Sequence, residues 1–213
     1  MNRSTLSQRI QRSFLTTIFL LLPVAAYAAE KVADKHDSSK NRGAVTIKNF
    51  GKINDRIYRG GQPEGDEYRQ LVALGIKTIV DLRLDSEPGA KEAAEQAGLR
   101  YINLPLEPKG YPKADAAQRF LSIVNNEANG PYYVHCAGGR HRTGVMIAVY
   151  RMEVDKWDIE QAYKEMKDFD FYTRMGHGCY KDYIFDYSKN LQAQAKIAQT
   201  TNAKTASTDG QRK

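Results

Sequence analysis

"PYYVHCAGGRHRTGVMIAVYRM", Pro131 to Met152, decides how the rest of the chain is read. Pro131–His135 has the aromatic and β-branched character of a strand. Thr143–Met152 is apolar nearly all round, the mark of a helix buried on every side. Between them lie one cysteine, two tandem glycines, two arginines and a histidine. A buried strand that runs through a glycine-bearing loop into a buried helix is a junction of an α/β sheet. In such sheets ligands bind beyond the carboxyl ends of the strands.

Working outward, the same alternation recurs. Arg56–Gly60 reads as a short strand. Tyr68, Leu71 and Val72 fall at i, i+3 and i+4, a helix stopped by Gly75. Ile76–Leu82 ("IKTIVDL") is a β-branched run and hence a buried strand. "EPGAKEAAEQAG" is an alanine-rich helix ended by Gly98, and Leu99–Leu106 is a further strand. Ala117, Phe120, Leu121 and Val124 mark a third helix. Asp158 and Gln161 form a capping box before a helix with Ile159, Ala162, Tyr163 and Met166 on its inner face. Tyr180, Tyr183, Ile184, Tyr187 and Leu191 line a last amphipathic helix. The expected fold is α/β: a central, mostly parallel sheet of four to five strands flanked by helices.

The ends of the chain differ from this. Arg3, Arg9 and Arg12 precede an apolar run, Phe14–Ala26, that closes on "AYA", Ala26–Ala28. That is the layout of a secretory signal peptide at residues 1–28, too short for a comfortable membrane span. The expected location is periplasmic or secreted, with no membrane attachment after cleavage. Residues 29–43 read as a flexible linker, 44–191 as the catalytic domain and 192–213 as a disordered tail. Cleavage removes three arginines and no acid, leaving 29 basic and 25 acidic residues, a formal +4. That charge is too mild for a nucleic-acid partner, and the sequence fixes no oligomeric state.

The loop supplies what a thiolate attacking phosphorus requires. Cys136 ends the strand and faces a helix N-terminus. The N–H groups of Ala137 to Thr143 can curl into an anion-binding nest, with Gly138 and Gly139 allowing positive φ or close backbone approach. Arg142, six residues after the cysteine, can reach back and grip two phosphate oxygens. The Thr143 hydroxyl can donate to the sulfur, stabilising it as thiolate and as leaving group. His135 would fix the loop by hydrogen bonds, and Gly144 would let the helix pack tightly behind it.

"HCAGGRHRTG" resembles the signature loop of cysteine-dependent protein tyrosine phosphatases of the small dual-specificity class. "IYRGGQP", "LVALGIKTIVDLR" and "YINLPL" are similar to upstream elements of the plant-and-fungal atypical members and their bacterial relatives, so the likeness covers residues 50 to 170. It implies a phosphocysteine intermediate, with Cys136 as nucleophile, Arg142 as phosphate clamp and Thr143 as the assisting hydroxyl. Neither cofactor nor metal is implied. It also implies a general acid on the loop after "YINLPL". Glu107 and Asp115 are the candidates, Glu107 preferred by position, although aspartate is usual there. Asp115 also fits as a plain helix N-terminal acid, and Asp81 reads as a structural partner of Arg83.

Arg140 and His141, in the middle of the loop, would face the pocket rim, where a cation favours multiply anionic substrates. Two substrate classes follow: phosphorylated tyrosine, serine or threonine on protein, or a polyphosphorylated small molecule, for which relatives with a basic residue here include inositol-polyphosphate and pyrophosphate phosphatases. Two other functions compete: a non-catalytic phosphate-binding module, and a thiol redox protein, which would lack a Cys-x-x-Cys pair. Cys179 is read as an ordinary thiol, a reversible disulfide partner of Cys136 or a bystander. His177 beside it does not make a metal site, because two potential ligands are too few.

Overall fold

The computed structural model describes residues 45–209; the signal-peptide and linker readings lie outside them. Five strands form one sheet in the order β1 (Gly51–Lys52), β2 (Ile57–Gly60), β5 (Tyr132–His135), β3 (Thr78–Arg83), β4 (Arg100–Leu106). β1 pairs antiparallel with β2, and all other pairs are parallel. This is the mostly parallel sheet expected from the alternation of strands and helices.

The β-branched and aromatic strands bury both faces, and their two-residue period sorts side chains between two cores. Tyr132, Val134, Val80 and Leu82 point into one core with α3 (Ala116–Val124), α4 (His141–Glu153), α5 (Ile159–Asp168) and the start of α6 (Gly178–Asp209). Ile79 and Tyr133 point to the other, with Leu71 of α1 (Glu67–Ala73) and Ala94 of α2 (Ala90–Gln96). α4 is buried along most of its length, as its apolar composition requires. Its buried Arg151 offsets the cost of desolvation by bonding Glu165 at 2.7 Å and Asp155 at 2.7 Å and stacking on Trp157. The capping box of α5 forms, with Gln161 N–H donating to Asp158 at 2.8 Å and the Gln161 carboxamide accepting from Asp158 N–H.

One expectation is corrected. The tail assigned to disorder from residue 192 instead continues α6 as far as Asp209. This stretch is rich in Ala, Gln and Lys, which favour helix, but lacks an apolar stripe, so the periodicity that reveals packed helices is absent.

Register positions the junction loop. β5 is central, with Gly60 of β2 and Asp81 of β3 paired with His135 on either side. The loop therefore leaves the sheet flanked by the carboxyl ends of two neighbouring strands.

Candidate active site

The loop from Cys136 to Arg140 joins β5 to α4, and its carbonyls are pulled outward. Gln62 N–H donates to the Ala137 carbonyl at 3.1 Å. The Asn49 amide donates to the Gly139 carbonyl at 3.0 Å and reaches the Gly138 carbonyl at 3.5 Å. Arg59 Nη2 donates to the Gly139 carbonyl at 2.7 Å. Because a trans peptide points its N–H opposite to its C=O, the N–H groups of Gly138, Gly139 and Arg140 turn inward, which is the nest the sequence calls for. Gly139 is indispensable to this path: its φ is +66°, and a Cβ there would lie 2.4 Å from the Gly60 backbone. Gly138 has no such need, since a Cβ would meet only the flexible Arg140 side chain. Tight packing at Gly144 is not found either. A Cβ would sit at an ordinary 3.5 Å from Met166.

Cys136 is 4% exposed at the base of the nest. Burial pushes its thiol up. The Thr143 hydroxyl and N–H, the Arg142 charge and the Gly139 N–H outweigh burial, so the thiol lies below its ordinary value. Thr143 Oγ1 is buried and forms no well-shaped hydrogen bond of its own, so its proton can turn to the sulfur as charge develops. Arg142 anchors by donating from Nη1 to the Leu106 carbonyl at 3.4 Å. His135 is buried, and burial holds its ring neutral, with its pKa lowered to about 4. Its Nδ1 donates to the Cys136 carbonyl at 3.3 Å and lies 3.9 Å from Asp81. Asp81 is the structural partner expected for Arg83, bonded to it by two oxygens, with Nη2 to Oδ2 at 2.8 Å.

A cavity of about 210 Å³ opens over Cys136. Ala137, Gly138 and Arg140 contribute from the loop, His141 and Arg142 from the first turn of α4, Pro108 and Lys109 from the segment after β4, and Tyr172 and His177 from the α5–α6 connection. Among the described residues no carboxylate lines it. Glu107 and Asp115 both face a separate cavity beside Pro112 and Arg119. Asp115 precedes α3 and lies 3.8 Å from Arg119, an exposed i,i+4 pair. Glu107 sits beside the site through its backbone, whose carbonyl accepts from the Tyr180 hydroxyl, while its side chain is exposed.

Sequence reasoning missed the loop's outer brace and half of the cavity wall. Arg59 is fully buried, stacks on Phe169 at 3.9 Å and keeps Nε and Nη1 unpaired. Burial lowers its pKa to about 10, so it stays charged at neutral pH. An arginine inside an otherwise apolar strand, immediately before Gly60-Gly61, was the available signal. Lys109, Tyr172 and His177 arrive from distant segments and carry no local signature.

Residues 45–207 match the family described as DSP-PTPase phosphatase fused to NAD+ kinase. The chain is 29% identical over 147 residues to the dual specificity protein phosphatase TpbA of Pseudomonas aeruginosa, covering 69% of this chain and 66% of that protein. It is 24% identical to the inositol diphosphatase DSP4 of Arabidopsis thaliana, covering 70% of this chain and 80% of that one. Among solved structures, P. aeruginosa TpbA superposes with a TM-score of 0.57 at 26% identity, covering 65% of this chain and 84% of that one. The core catalytic domain of the PP-IP phosphatase SIW14 from S. cerevisiae, solved with citrate, shares the fold with a TM-score of 0.61 at 22% identity, covering 75% and 96% of the two chains.

Proposed function

We propose that this chain, which belongs to the DSP-PTPase phosphatase family within the atypical dual-specificity class, is a cysteine-dependent phosphatase acting on polyphosphorylated small molecules. The observation that carries the substrate class is the cavity wall: Lys109, Arg140 and Arg142 with two histidines and no carboxylate. A single phosphate needs only the nest and Arg142. Two further cations repay desolvation by meeting a second anionic group. Relatives named inositol diphosphatases support this reading.

In the first step the Cys136 thiolate attacks phosphorus. The S–P bond forms as the bond to the leaving oxygen breaks, and that oxygen departs with the electron pair. The nest N–H groups and Arg142 hold the three non-bridging oxygens as charge shifts across them. In the second step water attacks phosphorus, the new P–O bond forms as the S–P bond breaks, both water protons leave with the product as dihydrogen phosphate, and Thr143 donates to the returning thiolate. A leaving phosphate is a much weaker base than an alkoxide, so hydrolysis of a phosphoanhydride does not need an acid in the cavity. Glu107, adjoining Pro108 and Lys109 of the cavity wall in the chain, protonates alkoxide leaving groups after its side chain turns inward. Asp115 serves α3.

Specificity constants for diphosphoinositol, inositol polyphosphate, phosphotyrosyl and phosphoseryl peptide substrates test the assignment. Phosphopeptides turning over at least as well as every polyphosphate would overturn it. They would favour the second reading, a protein phosphatase, which is supported by the Tyr172 ring in the cavity wall and by the TpbA relatives.

Residues 1–28 we read as a cleaved leader that delivers the enzyme to the periplasm. A mature N-terminus at Ala29 supports this, and a cytoplasmic protein retaining Met1 contradicts it.

A further inference from the structure

His141 opens α4, and its ring lies flat on that of His177, with centroids 3.7 Å apart and planes 10° from parallel. Tyr172 meets both rings edge-on, at 4.4 Å and 5.4 Å. Phe171 packs against His141 at 5.3 Å and Tyr180 lies 6.1 Å from His177. His141 is only 9% exposed, yet its Nε2 is buried without a hydrogen-bond partner, as is Nδ1 of His177. An aromatic box leaves such nitrogens unsatisfied at a cost, and both rings line the cavity over Cys136.

The charged groups facing the pair are cations. Lys109 comes from the segment after β4, Arg140 from the loop and Arg142 from the first turn of α4, while Arg174 lies over Tyr172 at 4.8 Å. The other titratable neighbours are Cys136 below the pair, Tyr172, and Tyr180 and Cys179 of α6. Glu107, the carboxylate adjoining this wall, faces the neighbouring cavity. Burial first, then the other ring, then Arg140 and Arg142 lower His141 to about 4. Burial, Lys109 and the two arginines also lower His177. The free pair is therefore neutral at neutral pH.

We propose that the stacked His141–His177 pair takes up one shared proton when a multiply anionic ligand enters the cavity, and that this proton selects for substrates with a second phosphate. A polyanion both neutralises the surrounding cations and brings acceptors beside the unpaired ring nitrogens. Two imidazoles in face contact cannot both be charged, so the uptake is one proton rather than two. The inference rests on the polyphosphate reading above. It adds that His141 and His177 are specificity determinants and that the selection strengthens as pH falls.

The test uses full-length Cys136→Ser protein, which removes the thiol's own titration. The ligands are myo-inositol hexakissulfate and sulfate, both fully ionised across the range, so any proton taken up belongs to the protein. Calorimetry in buffers of different ionisation enthalpy between pH 6 and 7 counts the protons. The expected result is about one proton per hexakissulfate and none per sulfate, with affinity for the hexakissulfate rising about tenfold per unit fall in pH. Adding His177→Phe, which keeps the stack and removes the nitrogens, should abolish both effects. His177→Gln provides an independent check should the phenylalanine variant be unstable. Tight hexakissulfate binding with no uptake, with two protons, or with uptake unchanged in both His177 variants would overturn the shared proton and leave the substrate reading intact. Hexakissulfate binding no tighter than sulfate would overturn both.

Discussion

Arg59 Nη2 donates to the Gly139 carbonyl at 2.7 Å from a guanidinium with no exposed surface. This bond crosses from β2 to the anion loop and turns the following N–H toward the site. The nest is therefore shaped from behind, by a residue that touches no substrate. Arg59→Met keeps much of the packing on Phe169 but takes the shorter of that carbonyl's two donors, leaving the Asn49 amide alone on it. The expected loss is about 1–3 kcal/mol of loop organisation, read as a ten- to hundredfold weaker affinity for vanadate. Unchanged affinity would show that the loop holds its shape without the brace.

Gly139 and Gly144 respond oppositely to alanine. At Gly139, φ is +66° and a Cβ would strike Gly60 backbone, so Gly139→Ala costs about 3 kcal/mol or more. At Gly144 a Cβ would make ordinary contact with Met166 at 3.5 Å and the position is helical, so Gly144→Ala is neutral or stabilises by up to about 1 kcal/mol. Urea denaturation of both variants measures the difference.

The thiol of Cys136 lies below its ordinary value because Thr143, Arg142 and Gly139 together outweigh burial. The thiolate is thus favoured relative to an ordinary cysteine and is lost as pH falls through the lowered pKa. Thr143→Val removes the largest of the lowering influences. It should move the midpoint of iodoacetamide alkylation, and with it the acidic limb of kcat/KM, to higher pH. An unmoved midpoint would exclude the hydroxyl from thiolate stabilisation.

His135 sets a second pH dependence, in stability. Its folded pKa is lowered to about 4 by burial, so below about 6.5 the unfolded chain binds a proton that the folded chain refuses. Its contribution is fully present above 6.5 and lost as pH falls toward 4, on the order of 3 kcal/mol in total. Unfolding free energies from pH 7 to 4 should show this decline, reduced in His135→Asn.

Neither candidate acid lines the Cys136 cavity. Asp115→Asn should change turnover little and stability by about 0.5 kcal/mol, the worth of an exposed i,i+4 pair. Glu107→Gln should slow alkyl phosphate monoesters about a hundredfold while sparing phosphoanhydrides. Equal losses on both substrate types would remove leaving-group basicity from the account.

Much of this fold was legible in the residues, because β-branched runs and apolar helix faces record burial directly. The loop was legible because cysteine, glycines, arginine and threonine crowd into one short segment. Arg59 was hidden, since its partner lies 80 residues away, and so was the meeting of His141 with His177. The continuation of α6 past residue 191 was hidden for another reason: its sequence carries no apolar period to read. Side-chain direction was the third gap. The order of residues put Glu107 and Asp115 after β4, but only packing shows that both face away from the thiol.

Cys136 carries the phosphate through turnover, and rapid acid quench of a single turnover, followed by mass spectrometry, reads this out. A transient phosphate adduct is expected on the peptide containing Cys136, with Cys136→Ser losing about 10⁴-fold or more in turnover while still binding vanadate. A wild-type enzyme turning over with no adduct on that peptide, or a Cys136→Ser variant with full activity, would contradict it.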